Sequence, residues 1–129
     1  MYLLDASALI NLIKRGCLKP LVNATTLELA IYETLNAVWK EHALLKHIDE
    51  ETARHLIKLL EKIFRIIILD RIRDLNSVFE LACKENTTIY DASYLYHALQ
   101  NKLTLVTDDE KLLEKARQYI NAIRSRDLA

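Results

Sequence analysis

The stretch YLLDASALINLIKRG, residues 2–16, predicts a strand that passes directly into a helix. Tyr2 to Leu4 is a short apolar run typical of a buried strand, and it ends at Asp5. Ala6 to Lys14 has the composition of a helix, which Gly16 is expected to stop. Asp5 is therefore expected at the junction between a strand and a helix.

The rest of the chain alternates in the same way between short apolar runs and amphipathic segments. Further strands are predicted at Leu21 to Asn23, Ile66 to Leu69, Leu103 to Val106 and Ile120 to Ile123, and further helices from Thr25 or Thr26 to about Leu45, and at Glu50 to Phe64, Ile72 to Lys84, Tyr90 to Gln100 and Glu110 to Gln118. The run Ile66 to Leu69 is apolar throughout, which predicts a central strand. This alternation predicts one α/β domain over residues 1–129, with a central, mainly parallel sheet of about four or five short strands.

Composition limits the classes of function. The 129 residues carry a formal net charge of zero, which argues against nucleic-acid binding by bulk positive charge alone. Cys17 and Cys83 form no C-x-x-C pair, so a zinc or thioredoxin-like site is not expected. We expect both cysteines to be free thiols. No apolar run is long enough to span a bilayer and the first residues do not resemble a signal peptide, so we expect a cytoplasmic protein.

Three acidic residues follow predicted strands. Asp5 ends the first strand, and Asp108 and Asp109 come just after the strand Leu103 to Val106. Because ligand sites in open parallel sheets form at the carboxyl ends of the strands, these acids are expected at one edge. Each also has a structural explanation: Asp5 as a helix N-cap, and the other two as first-turn acids behind a capping box that begins at Thr107.

Two more acids lie within predicted helices. Glu33, Asn36 and Lys40 form a narrow polar stripe on an otherwise apolar helix, which either faces water or lines a cleft. Asp91 shares an apolar face with Tyr94, where an ionised carboxylate is unfavourable unless a cation or several donors compensate it. Of all the acids, Asp91 most strongly indicates a site.

Together these acids predict a divalent metal centre. Close carboxylates repel each other by about 1–4 kcal/mol per pair, and a bound cation removes that repulsion. Ligands that are all oxygen favour Mg²⁺ or Mn²⁺ over zinc, and Mg²⁺ pairs readily with phosphate.

Four segments resemble those of PIN-domain ribonucleases, in particular VapC-type toxins of prokaryotic toxin–antitoxin pairs. They are YLLDASALINLI (residues 2–13), TLELAIYETLNAVWKE (26–41), TIYDASYLYHALQ (88–100) and LTLVTDDEKLLEKA (103–116). They occur in the family's order and spacing, and the resemblance covers essentially the whole chain. It implies a three-layer α/β/α PIN-like fold and a Mg²⁺- or Mn²⁺-dependent endoribonuclease that hydrolyses RNA phosphodiester bonds.

The resemblance also implies roles for individual residues. Its four metal-binding and catalytic acids correspond to Asp5, Glu33, Asp91 and Asp109, and its supporting positions to Ser7, Asn36, Thr107 and Asp108. Asp108 remains an alternative fourth acid. The histidines His42, His47, His55 and His97 are expected at the surface or rim, without a catalytic or metal role.

The expected partners are RNA, a small antitoxin protein and a second copy of the chain as a homodimer. Lys14, Arg15, Lys40 and Lys111 are the candidate RNA-binding residues, while Arg71, Arg73, Arg124 and Arg126 could equally contact an acidic partner. The helices Glu50 to Phe64 and Ile72 to Lys84 are candidate docking surfaces for the antitoxin, although core packing explains most of their apolar residues.

Three alternatives remain open at the level of sequence. The first is a PIN-like nuclease of RNA processing or of DNA flaps that has no antitoxin. The second is a receiver-like or phosphoryl-transfer domain, in which Glu33 would have no role. The third is a non-catalytic interaction module, in which replacing Asp91 would change neither metal binding nor RNA cleavage.

Overall fold

The computed structural model describes residues 1–128 and contains a five-stranded parallel sheet surrounded by helices. The strands are β1 (Tyr2–Leu4), β2 (Thr25–Leu27), β3 (Ile68–Asp70), β4 (Thr104–Val106) and β5 (Ala122–Ile123). The α-helices are α1 (Ala6–Lys14), α2 (Leu29–Trp39), α3 (Glu50–Ile66), α4 (Leu75–Glu85), α5 (Ile89–Asn101) and α6 (Glu110–Ala116). Short 3-10 helices lie at Lys19–Leu21 and Ser125–Leu128, and a π-helix at Lys40–Leu44 continues α2.

The strand order is β3-β2-β1-β4-β5, and every neighbouring pair is parallel. Successive side chains of a strand point to opposite faces of the sheet. Leu3 and Leu4 of β1 are both fully buried, and so are Leu105 and Val106 of β4. Helices therefore cover both faces of the sheet, and the predicted three-layer α/β/α fold is confirmed.

The junction between β1 and α1 forms as the sequence predicts. Asp5 caps the helix, since its Oδ1 accepts a hydrogen bond from the backbone N–H of Ala8 at 2.9 Å. Gly16 follows the helix with φ +69°, a left-handed conformation that suits glycine. This junction fixes Asp5 between the carboxyl end of β1 and the first turn of α1.

The region from residue 19 to residue 45 differs from the prediction. The predicted strand at Leu21 to Asn23 is wrong, because a 3-10 helix ends there at Leu21 and the strand lies at Thr25–Leu27. Neither Thr25 nor Thr26 caps a helix: Thr25 pairs with Leu3, and the Thr26 hydroxyl donates to the Leu4 carbonyl at 2.7 Å. β-branched threonines fit a sheet well, and here sheet pairing prevails over their capping tendency.

The apolar run near residue 67 is also placed differently. β3 is an edge strand and not a central one, and its Ile68 and Leu69 are exposed. The following helix, α4, begins at Leu75 behind an Asp74 cap, and not at Ile72. The Ile68 and Leu69 side chains show that an apolar run does not by itself imply burial on both faces.

Several smaller predictions can also be compared with the structure. The apolar face of α3 is buried in the core, so core packing explains it, as the sequence allowed. Cys17 and Cys83 are free thiols. Within residues 1–128, no helix is both long enough and apolar enough to cross a membrane.

Candidate active site

Four carboxylates meet at the edge of the sheet where the parallel strands end. Asp5 follows β1 and Asp109 follows β4, while Glu33 and Asp91 come from α2 and α5. The charge of Asp5 acts on Glu33, that of Asp91 also acts on Glu33, and that of Asp109 acts on Asp91. We call these four residues the acidic edge.

Asp5 is the most deeply buried member of the acidic edge, with 6% of its surface exposed. Its carboxylate accepts hydrogen bonds from the Ser7 hydroxyl at 2.7 Å, from the Ala8 N–H and from the Thr107 hydroxyl. Burial raises its pKa to about 6; the three donors partly oppose the shift, and the charge of Asp108 adds to it. The ionised form is thus held by donors but disfavoured by its surroundings.

The hydroxyls of Ser7 and Thr107 connect the ends of the two central strands. The Ser7 hydroxyl accepts from the Asp108 N–H at 3.0 Å, and the Thr107 hydroxyl accepts from the Asp109 N–H at 3.1 Å. Both also donate to Asp5, so each bridges β1 to the turn after β4. This hydrogen bonding fixes where the backbone of both aspartates lies.

Glu33 is half-buried and is held by a tyrosine that the sequence did not indicate as a partner. The hydroxyl of Tyr94, on α5, donates to Glu33 Oε1 at 2.9 Å. Burial raises the pKa of Glu33 and the charges of Asp5 and Asp91 add to the shift, although the hydrogen bond opposes it. Of the two environments proposed for Glu33, the structure therefore favours the cleft.

Asp91 is half-buried as well, and its surroundings disfavour its charge. Burial raises its pKa and the charge of Asp109 adds to this, while the Thr87 hydroxyl, at 3.5 Å, and the charge of Lys115 oppose it. Lys115 in turn donates to the carbonyls of Glu85 and Asn86, at 2.6 and 3.2 Å. It thereby ties α6 to the α4–α5 turn that precedes Asp91.

Asp109 is exposed and caps α6. Its Oδ1 accepts from the Leu112 N–H at 3.0 Å, so the cap of this helix is Asp109 and not the predicted Thr107. The Thr107 hydroxyl is occupied with Asp5 instead. No protein donor within residues 1–128 contacts the second oxygen of Asp109, which leaves that oxygen available to a ligand.

Asp108, next in sequence, has a different environment. Its Oδ2 accepts from Asn11 Nδ2 at 2.7 Å and from the Ser125 hydroxyl at 2.5 Å, and its Oδ1 accepts from the Ser125 N–H at 2.8 Å. Burial raises its pKa, but these hydrogen bonds outweigh burial and hold the pKa below its ordinary value. Asp108 fastens the segment that contains Ser125 to α1.

The remaining predicted residues lie around this edge or away from it. Asn36 is exposed and makes no side-chain hydrogen bond to a described residue, and Lys40 and Lys111 are exposed too. Lys14 forms an ion pair with Glu41 at 2.5 Å. The guanidinium of Arg15 donates to the Asn11 carbonyl and to the Ser125 hydroxyl.

One prediction about the histidines is wrong. His97 was expected at the surface or rim but is buried, and its Nε2 lies 2.8 Å from Asp70 Oδ2. The pair links α5 to the end of β3, a contact between residues 27 positions apart. Its acidic partner is therefore not visible from the helical pattern alone.

The donor set of the acidic edge consists of oxygen atoms. Within residues 1–128, no group of three or more acidic, histidine or cysteine side chains is arranged to surround a metal ion by direct contact. Carboxylate oxygens with raised pKa values suit a hard divalent cation, and Mg²⁺ commonly keeps several of its own waters. The residues thus fit an ion that is only partly coordinated by protein.

Comparison with known proteins places this arrangement in a family. The model of the PIN domain matches residues 2–118. The chain belongs to the PIN-domain family. Among its relatives, the exonuclease VapC9 of Pyrobaculum aerophilum is 40% identical over 93% of this chain and 89% of its own length. The ribonuclease VapC3 of the same organism is 37% identical over 70% of this chain and 69% of its own length.

A solved structure supports the same assignment for this PIN-domain chain. The crystal structure of PAE2754 from Pyrobaculum aerophilum superposes with a TM-score of 0.84 at 34% identity. The alignment covers 98% of this chain and 85% of that protein. The resemblance noted in the sequence is confirmed, and so is the predicted nuclease class, since both VapC relatives are named as nucleases.

Proposed function

We propose that this PIN-domain protein is a metal-dependent endoribonuclease and the toxin of a toxin–antitoxin pair, acting in the cytoplasm as a single domain over residues 1–129. The observation that carries the proposal is the acidic edge. Asp5, Glu33 and Asp91 all have raised pKa values, because burial disfavours their ionised forms and neighbouring carboxylates add to the effect. Such a cluster is stabilised by a cation.

Asp5, Glu33, Asp91 and Asp109 are the proposed ligands of Mg²⁺ or Mn²⁺, some of them acting through the waters that the ion keeps. When bound, the metal supplies a Lewis acid that makes water a better nucleophile and stabilises charge on the phosphate. The protein side chains hold and orient the ligands. Ser7 and Thr107 hold Asp5, Tyr94 holds Glu33, and the Leu112 N–H of α6 holds Oδ1 of Asp109.

The outer residues have supporting roles in this proposal. Asn36 lies one turn after Glu33 on α2 and is exposed, so it is free to contact substrate or metal-bound water. Asp108 supports the site through the turn and not as a ligand, because its hydrogen bonds to Asn11 and Ser125 outweigh its burial and hold its pKa low, whereas the pKa of Asp5 stays raised despite its donors. Lys14, Arg15, Lys40 and Lys111 are proposed to contact RNA phosphates.

The proposed partners follow from the VapC relatives. An antitoxin would cover the acidic edge and suppress cleavage, and the active form would be a homodimer. A second candidate activity is exonucleolytic cleavage, because VapC9, 40% identical to this chain, is named an exonuclease. The two activities differ in one requirement, since an exonuclease needs a free RNA end.

A direct test uses linear and circular RNA of the same sequence, incubated with purified, partner-free protein with and without Mn²⁺. We expect Mn²⁺-dependent cleavage of both forms by the wild type and none by Asp91→Asn. The matched control is Asp49→Asn, the same chemical change at the cap of α3, where asparagine also caps well.

The outcomes separate the candidate functions. Cleavage of the linear form alone would replace the endonuclease with an exonuclease. Cleavage of DNA flaps but not of RNA would support the alternative nuclease class. Wild-type cleavage by Asp91→Asn, with circular dichroism showing a folded protein, would rule out the acidic edge as the catalytic centre.

A further inference from the structure

A pocket beside the acidic edge gathers positive charge. It has a volume of about 390 Å³, and its charged lining consists of Lys14, Arg15, Arg124, Arg126 and Asp108. Four cationic groups and one anionic group thus line one open surface pocket in a chain whose formal net charge is zero. We call it the basic pocket.

Two of the four cations already have acidic partners. Lys14 pairs with Glu41 at 2.5 Å, and Arg124 forms a two-pronged pair with Glu110 at 2.6 and 2.8 Å. Arg15 and Arg126 form no ion pair with any carboxylate of residues 1–128. Two guanidinium groups without a direct carboxylate contact are therefore left beside the pocket, although the charge of Arg15 acts on Asp108 and that of Arg126 acts on Glu110.

The basic pocket and the acidic edge share the turn after β4. Asp108 lies between Thr107, which donates to Asp5, and Asp109, and its own N–H donates to Ser7. The carboxylate of Asp108 points the other way and fastens Ser125, the residue between Arg124 and Arg126, against α1. Asp108 thus sets the position of two arginines relative to the acids.

We propose that the basic pocket binds a backbone phosphate of the RNA strand, next to the phosphate that is cleaved at the acidic edge. The inference rests on the proposed function and assigns Arg15 and Arg126 as its principal phosphate contacts. A guanidinium presents several donors in a fixed fork that matches phosphate oxygens. A strand that runs from this pocket toward Asp109 passes from cations that hold phosphate to carboxylates that hold the metal.

RNA is favoured over an acidic protein segment because of where the pocket lies. Its wall includes Asp108, one residue from Asp109, so the same strand reaches both sites. An acidic peptide in this position would bring further negative charge beside four carboxylates, where each close pair repels. A phosphate that belongs to the metal-bound strand carries its charge toward a cation instead.

The test compares two double variants that lose the same number of positive charges. Arg15→Ala/Arg126→Ala removes from the basic pocket the two arginines that form no ion pair, whereas Lys62→Ala/Arg65→Ala removes exposed charges from the last turns of α3. Since β3 starts at Ile68, just after that helix, these control residues lie toward the amino ends of the strands, at the opposite edge. Both are made in an Asp91→Asn background, so that labelled single-stranded RNA stays intact.

Fluorescence anisotropy then gives the RNA affinity between low and moderate salt. Loss of the pocket pair should weaken binding about tenfold and reduce the magnitude of the slope of log K against log salt by about 0.7, the contribution of one phosphate on a single strand. The α3 control should leave the slope within about 0.3 of the parent value. Equal affinities and slopes in the two double variants would overturn the proposal.

Two further arms keep the result interpretable. A labelled oligoglutamate peptide that loses binding in the pocket variant, while RNA affinity is unchanged, would assign the pocket to an acidic protein and also overturn the proposal. In the second arm, cleavage of the same RNA by the wild-type protein is measured with Mn²⁺. If that cleavage is absent while the pocket variant loses RNA affinity, the nuclease proposal fails and the phosphate site stands.

Discussion

The acidic edge and the basic pocket share one turn, but the carboxylates on its two sides differ in hydrogen bonding and in the direction of their pKa shifts. On the pocket side, Asp108 receives three hydrogen bonds from Asn11 and Ser125, and its pKa is lowered. Within the acidic edge, Glu33 and Asp91 have one side-chain donor each, and their pKa values are raised. Asp108 and these two acids therefore differ in how well protein hydrogen bonds stabilise their ionised forms.

This difference separates structural acids from functional ones. A carboxylate whose hydrogen bonds outweigh its burial, so that its pKa is lowered, contributes to folding and does not require a cation. A carboxylate that is desolvated and placed near others destabilises the fold, and it is expected where an incoming cation restores the balance. By this criterion Asp108 is an anchor. Asp109, with one oxygen free of protein donors within residues 1–128, remains the proposed fourth ligand.

The largest expected difference in cleavage rate is between two single variants, Asp109→Asn and Asp108→Asn. Asp109→Asn should lower Mn²⁺-dependent cleavage by at least about 100-fold, since even supporting partners of metal ligands cost up to that much. Asparagine keeps the α6 cap, so stability should change little. Asp108→Asn should retain cleavage within about tenfold, because it leaves the ligand set intact. Single-turnover rates at saturating metal check both, and the reverse ranking would make Asp108 the fourth ligand.

The pH dependence of stability gives the next largest effect. Because the pKa of Asp5 moves from 3.8 to about 6 on folding, the folded protein binds a proton more tightly than the unfolded chain between those values. Ionising Asp5 therefore destabilises the metal-free protein, by about 3 kcal/mol, fully above about pH 6 and not below about pH 4. Urea unfolding should show the stability of the wild type falling relative to Asp5→Asn as pH rises through this window. A difference that is constant with pH would contradict the burial argument.

Removing the anchor entirely should affect stability more than chemistry. Asp108→Ala loses three hydrogen bonds to a charged, partly buried group, and we expect the free energy of unfolding to fall by about 2 kcal/mol. Hydrogen exchange should show faster exchange at the Ser125 amide, which donates to Asp108. Asp74→Ala, which removes the cap of α4, serves as control and should leave exchange at Ser125 unchanged. Equal protection at Ser125 in both variants would contradict an anchoring role.

The smallest effect is expected at Tyr94. Tyr94→Phe removes the donor that holds Glu33 but leaves the ring in the core. Mn²⁺ affinity, measured by calorimetry, should fall about tenfold, the lower range for a residue that orients a ligand. Tyr96→Phe, on the same helix but bonded to Asp74, should leave Mn²⁺ affinity unchanged. Identical affinities for both variants would remove Tyr94 from the proposed site.

Local signals in the sequence predicted part of the fold well. β1 and α1 have the predicted boundaries, because an apolar run, an N-capping aspartate and a stopping glycine all act within a few residues. The start of α2 was missed because Thr25 and Thr26 satisfy both capping and strand rules, and only pairing with distant strands decides between them. The apolar run Ile66 to Leu69 predicts a central strand, but β3 lies at the edge, because the position of a strand in the sheet depends on which strands pair with it.

The site shows the same division between local and distant information. The apolar helix face of Asp91 predicts its partial burial. The position of Asp5 and Asp109 after parallel strands predicts that both lie at the same edge of the sheet. The partners of Asp108 did not follow from any pattern, since Asn11 and Ser125 lie 97 and 17 positions away. Tyr94 looked like an ordinary core residue, and its bond to Glu33 spans 61 positions.

The hydrogen bond from Thr107 to Asp5 joins residues 102 positions apart. During translation at the usual speed of about 5–20 residues per second, roughly 5 to 20 s separate the synthesis of these two residues. The central pair of strands cannot close until β4 has emerged from the ribosome, so no shorter nascent chain contains an assembled acidic edge. The site proposed for nuclease activity therefore does not exist in the growing polypeptide before residues on both sides of the sheet have been made.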